Sequence, residues 1–198
     1  MQNIFLDCGF HLGEGINQFL SMGIIDDTYH IYSFEANPAC MIVERTKNHP
    51  NITPIEKAVW IEDGYVFFKQ ENHVKSMSNS PTNGVSNVDG HASSIVIDDM
   101  KNQYLERCGI VEPIKIESLN FSEFLKNLPD DSNIICKMDI EGSEFAVLEH
   151  LIETNQIRKI KKLFVEFHPH YFPPHYGNLK AELVSKIEEL GIEFKDWH

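Results

Sequence analysis

The amino-acid sequence predicts a doubly wound α/β fold: a mostly parallel sheet, helices on its faces, and a β-rich insertion. Three observations predict it. Apolar, β-rich runs alternate with stretches of helical period. A glycine-rich bend follows the first run, in IFLDCGFHLGEG (residues 4–15). Acids recur where successive runs end, at Asp7, Glu35, Asp139, Glu141 and Glu166. Ligands of such sheets gather beyond the carboxyl ends of the strands, so the third pattern bears on function as well as fold.

The elements follow in order. NIFLDC (3–8) is a strand apolar enough to be buried on both faces. GINQFLSMG (15–23) places Ile16, Phe19 and Leu20 on one helical face, and Gly23 supplies the stop. HIYSFEA (30–36) is a second strand. PACMIVERTKN (38–48) reads as a helix opened by Pro38, whose missing N–H costs nothing at that position. NITPIEKAVW (51–60) reads as one continuous third strand. Strand, helix, strand, helix, strand with short links implies parallel pairing and right-handed crossovers.

The alternation then breaks. GYVFFKQ (64–70) has the pattern of a half-exposed strand, and HASSIVI (91–97) and EPIKIESL (112–119) look like further strands. Residues 72–90, rich in Ser, Asn and Gly and without periodicity, are expected to form a mobile loop over the acceptor side of a site, with a tolerated surface insertion as the plain alternative. The α/β rhythm returns with a helix in FSEFLKNL and a strand in NIICKMDI. The helix SEFAVLEHLIE follows, with Phe145, Leu148, Leu151 and Ile152 on one face. KKLFVEF is a strand, LKAELVSKIEEL a helix ended by Gly191, and IEFKDWH a closing edge strand. No repeat or linker divides the chain, so residues 1–198 are read as a single domain.

Composition narrows the function. Thirty acids against 17 Lys plus Arg leave a net charge of −13, which would repel a phosphate backbone, so no nucleic-acid partner is expected. The basic cluster IRKIKK (157–162) reads as a solvated helix end. Cys8, Cys40, Cys108 and Cys136 stand far apart without a C-x-x-C pair, which argues against a disulfide framework or zinc knuckle. A strand begins almost at once, and no apolar run approaches the roughly 20 residues of a membrane span. A cytoplasmic protein without a membrane partner is the expectation.

Asp7, Gly9 and Gly13 fit D-x-G-x-x-x-G. Dinucleotide sites use G-x-G-x-x-G, and phosphate loops end in Gly-Lys-Ser/Thr; neither is present. This spacing disfavours a nicotinamide-dependent oxidoreductase. An acid before the glycines suits a ligand with a cationic end, and Glu35, closing the next strand, suits a ribose diol. An amino-acid end plus a ribose points to S-adenosylmethionine. In KMDIEGSE, Asp139 and Glu141 point to one side of an extended chain. Glu144 reads as a cap on the first turn of the following helix. In FVEFHPHYFPPHYG, Glu166 and His168 alternate at a strand end. There His168 stands as a general base, a metal ligand or a packing residue.

The segments FLDCGFHLGEG, FEANP, EKAVW, ASSI, KMDIEGSEFAVLEHL and LFVEFHP, taken in order, resemble the FkbM-family methyltransferases. They are similar to that family's DxGANxG, FEPNP, N-x-A, SS, KIDVEGxExxVL and xExH elements, across residues 4 to 170. FEANP together with KMDIEGSE is the most discriminating pair. Phe10-His11 replaces the usual Ala-Asn, Ala36 the usual Pro, and Asn120 an acid common after the central strands. The resemblance implies a Rossmann-like class I methyltransferase fold. It also implies S-adenosylmethionine-dependent O-methylation of a hydroxyl on a sugar, glycan or small natural product.

Matching by position, Asp7, Gly9 and Gly13 would surround the methionine portion and Glu35 would hold the ribose. Lys57 and Ala58 would flank the adenine, while Ser93 and Ser94 would help to close the site. A solvated lysine, a core alanine and two strand-edge serines are the plain alternatives for those four. Asp139, Glu141, Glu166 and His168 are the candidate catalytic groups, with Asp139 also beside the cofactor. A divalent metal on the same groups is an option, not an expectation. The alternative from another class is a non-catalytic nucleotide-binding module that kept the fold.

Overall fold

The computed structural model describes residues 1–69, 94–95 and 113–197. Along the chain run β1 (Asn3–Cys8), α1 (Glu14–Ser21), β2 (Tyr29–Phe34), α2 (Ile42–Thr46), β3 (Ile52–Ile55), β4 (Ala58–Trp60) and β5 (Gly64–Lys69). They are followed by β6 (Ser94–Ile95), β7 (Ile114–Asn120), α3 (Phe121–Lys126), β8 (Asn133–Met138), α4 (Glu144–Glu153), β9 (Ile160–Val165), α5 (Tyr176–Glu189) and β10 (Glu193–Asp196). Six strands pair in parallel in the order β10-β9-β8-β1-β2-β3. The order reverses between β1 and β8, the switch point at which such sheets open a crevice.

Two-residue periodicity explains why the centre of this sheet is apolar on both faces, with one charge pair as the exception. Ile4, Leu6 and Cys8 of β1 enter one core with Ile134, Cys136 and Met138 of β8 and the buried face of α4. Phe5 and Ile135 enter the opposite core, with Phe19 of α1 and Phe164 of β9. The Phe19 ring meets Phe5 at 4.9 Å and Phe164 edge-on at 4.8 Å. Each such fully buried side chain contributes roughly 1.5–3 kcal/mol, so β1 and β8 are the firmest part of the frame. Asp7 and Lys137 are register partners on the α1 face. That face buries two opposite charges against each other.

A second sheet, β4-β7-β5-β6, is the expected β-rich insertion. Its small core of Ala58, Phe68 and Ile95 leans over the ends of the main strands. The expected third strand is in fact two. β3 belongs to the main sheet and β4 to the second, with Glu56 and Lys57 between them. A tight bend in which Lys57 N donates to Ile55 O (2.9 Å) redirects the chain.

The expected helix over 38–48 is also broken. Pro38–Cys40 forms a 3-10 turn capped by Asn37, whose side chain accepts from Ala39 N; Met41 then takes a left-handed φ of 51° before α2 begins. Arg45 holds the joint by donating to the Cys40 carbonyl (2.8 Å). The basic cluster closes a 3-10 turn (Gln156–Lys159), where Arg158 and Lys161 are exposed as expected of a solvated helix end, but part of it is tied in. Ile157 is buried, and Lys159 ties to Asp130 (2.9 Å) and to the Leu128 carbonyl (2.6 Å). The expected loop over 72–90, Ser93 and Cys108 lie outside the described residues. Among the described residues no helix is long and apolar enough to cross a membrane.

Candidate active site

A cavity of about 370 Å³ opens beyond the carboxyl ends of the six parallel strands. Gly9, Phe10 and His11 line it after β1, Glu35 and Asn37 after β2, and Lys57 after β3. From the other half of the sheet come Asp139 and Glu141 after β8, Glu166 after β9 and Trp197 after β10. Ala58, Val59, Phe68 and Ile95 of the second sheet supply an apolar wall.

The glycine turn is clamped from both sides. Gly9 N and Phe10 N both donate to the Phe34 carbonyl at the end of β2 (3.0 and 2.9 Å). On the other side Gly9, at φ +87°, lies so close to β8 that a Cβ would sit 1.9 Å from the Asp139 carbonyl oxygen. Only glycine fits there, in both conformation and volume. Glu35 completes the clamp: Oε2 accepts from His11 N (2.6 Å) and Oε1 from Asn37 N (2.7 Å). Burial raises the Glu35 pKa, opposed by the Asn37 and His11 donors. Each carboxylate oxygen retains a second lone pair for a ligand hydroxyl.

Asp7 does not line this cavity. It is fully buried on the α1 face, and neither carboxylate oxygen has a hydrogen-bond partner within the described residues. Its Oδ1 lies 3.6 Å from Lys137 Nζ. Burial pushes the Asp7 pKa up to about 6, and Lys137 only partly offsets this. Gly13 is also absent from the cavity wall; at φ +90° it begins α1 and packs beneath the Phe10 ring. Lys137 does line the cavity: it is buried, donates to the Gly9 carbonyl (2.7 Å) and lies 3.5 Å from Asp139 Oδ2.

After β8 the chain bends sharply, with Glu141 at φ 54° and Gly142 at φ 100°. The fully buried Glu144 holds the bend rather than the first turn of its own helix. Its Oε1 accepts from Ile140 N and its Oε2 from Gly142 N, each at 2.9 Å. Glu144 Oε1 also meets His168 Nδ1 at 3.1 Å. That fixes the ring so that Nε2 faces Glu141 (3.5 Å), Asp139 (3.9 Å) and Glu166 (3.9 Å). Tyr171, stacked on the His168 ring, donates to Glu141 Oε2 at 2.5 Å.

Burial pulls the His168 pKa down. The hydrogen bond and charge of Glu144, with Glu141 and Asp139, overcome this and raise it to about 9. Burial raises Glu141 to about 8, opposed by His168 and Tyr171. Near pH 7 the ring is therefore a cation, and Glu141 still largely carries its proton. Asp139, Glu141 and His168 also offer ligand atoms within 4.8 Å of one another, a grouping able to take a divalent cation.

The structure thus brings Gly9, Glu35, Lys57, Ala58, Asp139, Glu141 and Glu166 to one cavity, with His168 just beneath its floor. Lys57 points its amine to Glu117 (2.9 Å), so its stem is what remains for the cavity. Ser94 is placed as the first residue of β6, paired with Lys69. Sequence reasoning missed Lys137, Tyr171 and Ser143, whose buried hydroxyl lines the cavity with no partner among the described residues. A single lysine inside the apolar strand NIICKM was a usable signal for the first. Nothing in the sequence marked the other two.

A parallel sheet of this order, a glycine turn at its switch point and a carboxylate closing the next strand define a Rossmann-like frame of the kind that holds nucleoside-containing cofactors. The family model described as the methyltransferase FkbM domain matches residues 7–194 of the 198. The chain belongs to that family. Neither a curated protein nor a solved structure matches it.

Proposed function

We propose that this methyltransferase moves a methyl group from S-adenosylmethionine to a hydroxyl of a sugar, glycan or small natural product. The observation that carries the proposal is the cavity at the strand ends, whose residues fit such a cofactor. Glu35 offers its second lone pairs to a ribose diol. The apolar wall of Ala58, Val59, Phe68 and Ile95 suits an adenine face, with the Lys57 stem at its edge. Gly9, bare of Cβ, and the Ser143 hydroxyl, unpartnered among the described residues, leave space and one polar contact beside the sheet. The cofactor brings a methyl already activated on a sulfonium, so the protein's part is largely positioning.

Three carboxylates line the acceptor side, Asp139, Glu141 and Glu166, and can take hydrogen bonds from several hydroxyls at once. A polyhydroxylated, uncharged acceptor suits that lining better than an anionic one. Glu141 is our assignment as the base: burial raises it to about 8, so the ionised form that accepts the hydroxyl proton grows in as pH rises toward that value. His168 is a positioning residue in this reading, because its ring keeps its proton to a higher pH than Glu141 does. Three buried free cysteines among the described residues support a reducing, cytoplasmic setting.

The test is turnover against a panel of sugars and polyhydroxylated metabolites. S-adenosylhomocysteine and the methylated product are followed by mass spectrometry, with and without a chelator. Product should form with the parent and fall by roughly a hundredfold or more in Glu141→Gln. Loss on chelation would assign the carboxylates and His168 to a cation that orients the acceptor oxygen. Cofactor binding without methylation of any hydroxyl would favour the non-catalytic module.

A further inference from the structure

We infer that Lys137 receives the carboxylate of the cofactor's amino-acid end, with Asp139 beside it for the ammonium; this rests on the S-adenosylmethionine reading above. An α-amino-acid end carries both charges a few ångströms apart. Lys137 Nζ and Asp139 Oδ2, 3.5 Å apart on the cavity wall, offer the complementary pair. Of the lysines lining the cavity among the described residues, Lys57 is committed to Glu117. Lys137 stands instead beside the glycine turn.

The ammonium of Lys137 has capacity to spare. It has three donors, and the short bond it makes is to the Gly9 carbonyl at 2.7 Å. Its approaches to Asp7 and Asp139, at 3.6 and 3.5 Å, are ion pairs longer than the roughly 2.7–3.2 Å of a good N–H···O bond. Its stem is held where α1 begins, as a Cβ on Gly15 would sit 3.5 Å from Lys137 Cε. Asp7 then acts from behind the wall: excluded from the cavity, it supplies the counter-charge that keeps a buried lysine ionised. The inference also orients the ligand. Its amino-acid end lies at the β1–β8 junction, its ribose at Glu35, and its adenine against β4.

The experiment is calorimetric titration of S-adenosylmethionine and of its decarboxylated analogue, which keeps the sulfonium and the amine. The proteins are the parent, Lys137→Gln, and Asp7→Asn/Lys137→Met, whose paired change leaves neither charge buried alone. The parent should bind S-adenosylmethionine roughly tenfold to a hundredfold more tightly than the analogue. Each folded variant should lose that preference by weakening on S-adenosylmethionine alone. A parent that binds both compounds equally overturns the inference without any variant, as does a preference that survives in the variants. Equal weakening on both compounds would also overturn it, since it makes the lysine purely structural. A parent that binds neither compound overturns the cofactor reading and this inference with it.

Discussion

Replacing Gly9 by Ala tests the geometry on which the site is built. At φ +87° an L-residue is strained by roughly 1–2 kcal/mol. The added Cβ would also lie 1.9 Å from the Asp139 carbonyl oxygen, where contacts under 3.0 Å do not persist, so the glycine turn and the β8 end must part by about 1 Å. Parting them weakens the 3.0 Å bond from Asp139 N to the Cys8 carbonyl, a further loss of about 1 kcal/mol. The total, about 2–4 kcal/mol once packing strain is included, lowers Tm by roughly 5–15 °C for a chain of this size. Gly23→Ala is the control, since Gly23 also has a positive φ (+66°) but open space around it. It should lose only the conformational part. Differential scanning calorimetry measures both, and titration with S-adenosylhomocysteine should show binding lost in Gly9→Ala and kept in Gly23→Ala. If Gly9→Ala proves as mild as the control and still binds, the close approach of the two strand ends is wrong.

Other expectations follow from the same site. Glu35→Gln keeps one of two backbone bonds and turns an amide toward the other N–H, so S-adenosylhomocysteine should bind roughly tenfold to a hundredfold more weakly; unchanged calorimetric affinity would remove Glu35 from the site. Asp7, Glu141 and His168 hold their protons to about pH 6, 8 and 9 against ordinary values of 3.8, 4.5 and 6.5. Each raised group contributes stability that is full below its unfolded value and lost as pH rises through its folded one. Tm should therefore fall between pH 6 and pH 9, with His168 contributing on the order of 3 kcal/mol and His168→Gln flattening the upper part; a Tm that climbs over this range contradicts it. Turnover should rise with pH toward a plateau above about 8 as Glu141 loses its proton, and a flat profile in the parent would point to another base.

What the sequence revealed and what it hid follow from the range of the interactions. β1 and β8 were legible because strands buried on both faces are almost continuously apolar, and NIFLDC and NIICKM are apolar from their second residue on save for Asp7 and Lys137. The third strand was misjudged because the switch between sheets at Glu56 and Lys57 depends on a bend that has no strong residue signature. Asp7 was assigned to the ligand from its place at a strand end. Its parity with Phe5 turns it to the α1 face instead, opposite Lys137. That register becomes visible only once β1 and β8 are known to pair. The Glu144–His168 couple spans 24 positions and joins a helix start to a strand exit. Local pattern therefore named both residues and missed their bond. FEANP and KMDIEGSE were legible for the opposite reason, since each places its acids within a few residues of one strand end.

The most direct test of the central claim is amide hydrogen exchange with and without S-adenosylhomocysteine. If the cofactor lies across the strand ends, added protection should appear at residues 9–11, 35–37, 57–59 and 139–141 together, with one ligand bound per chain. Protection confined to other segments, or no binding at all, would contradict a methyltransferase site in this cavity.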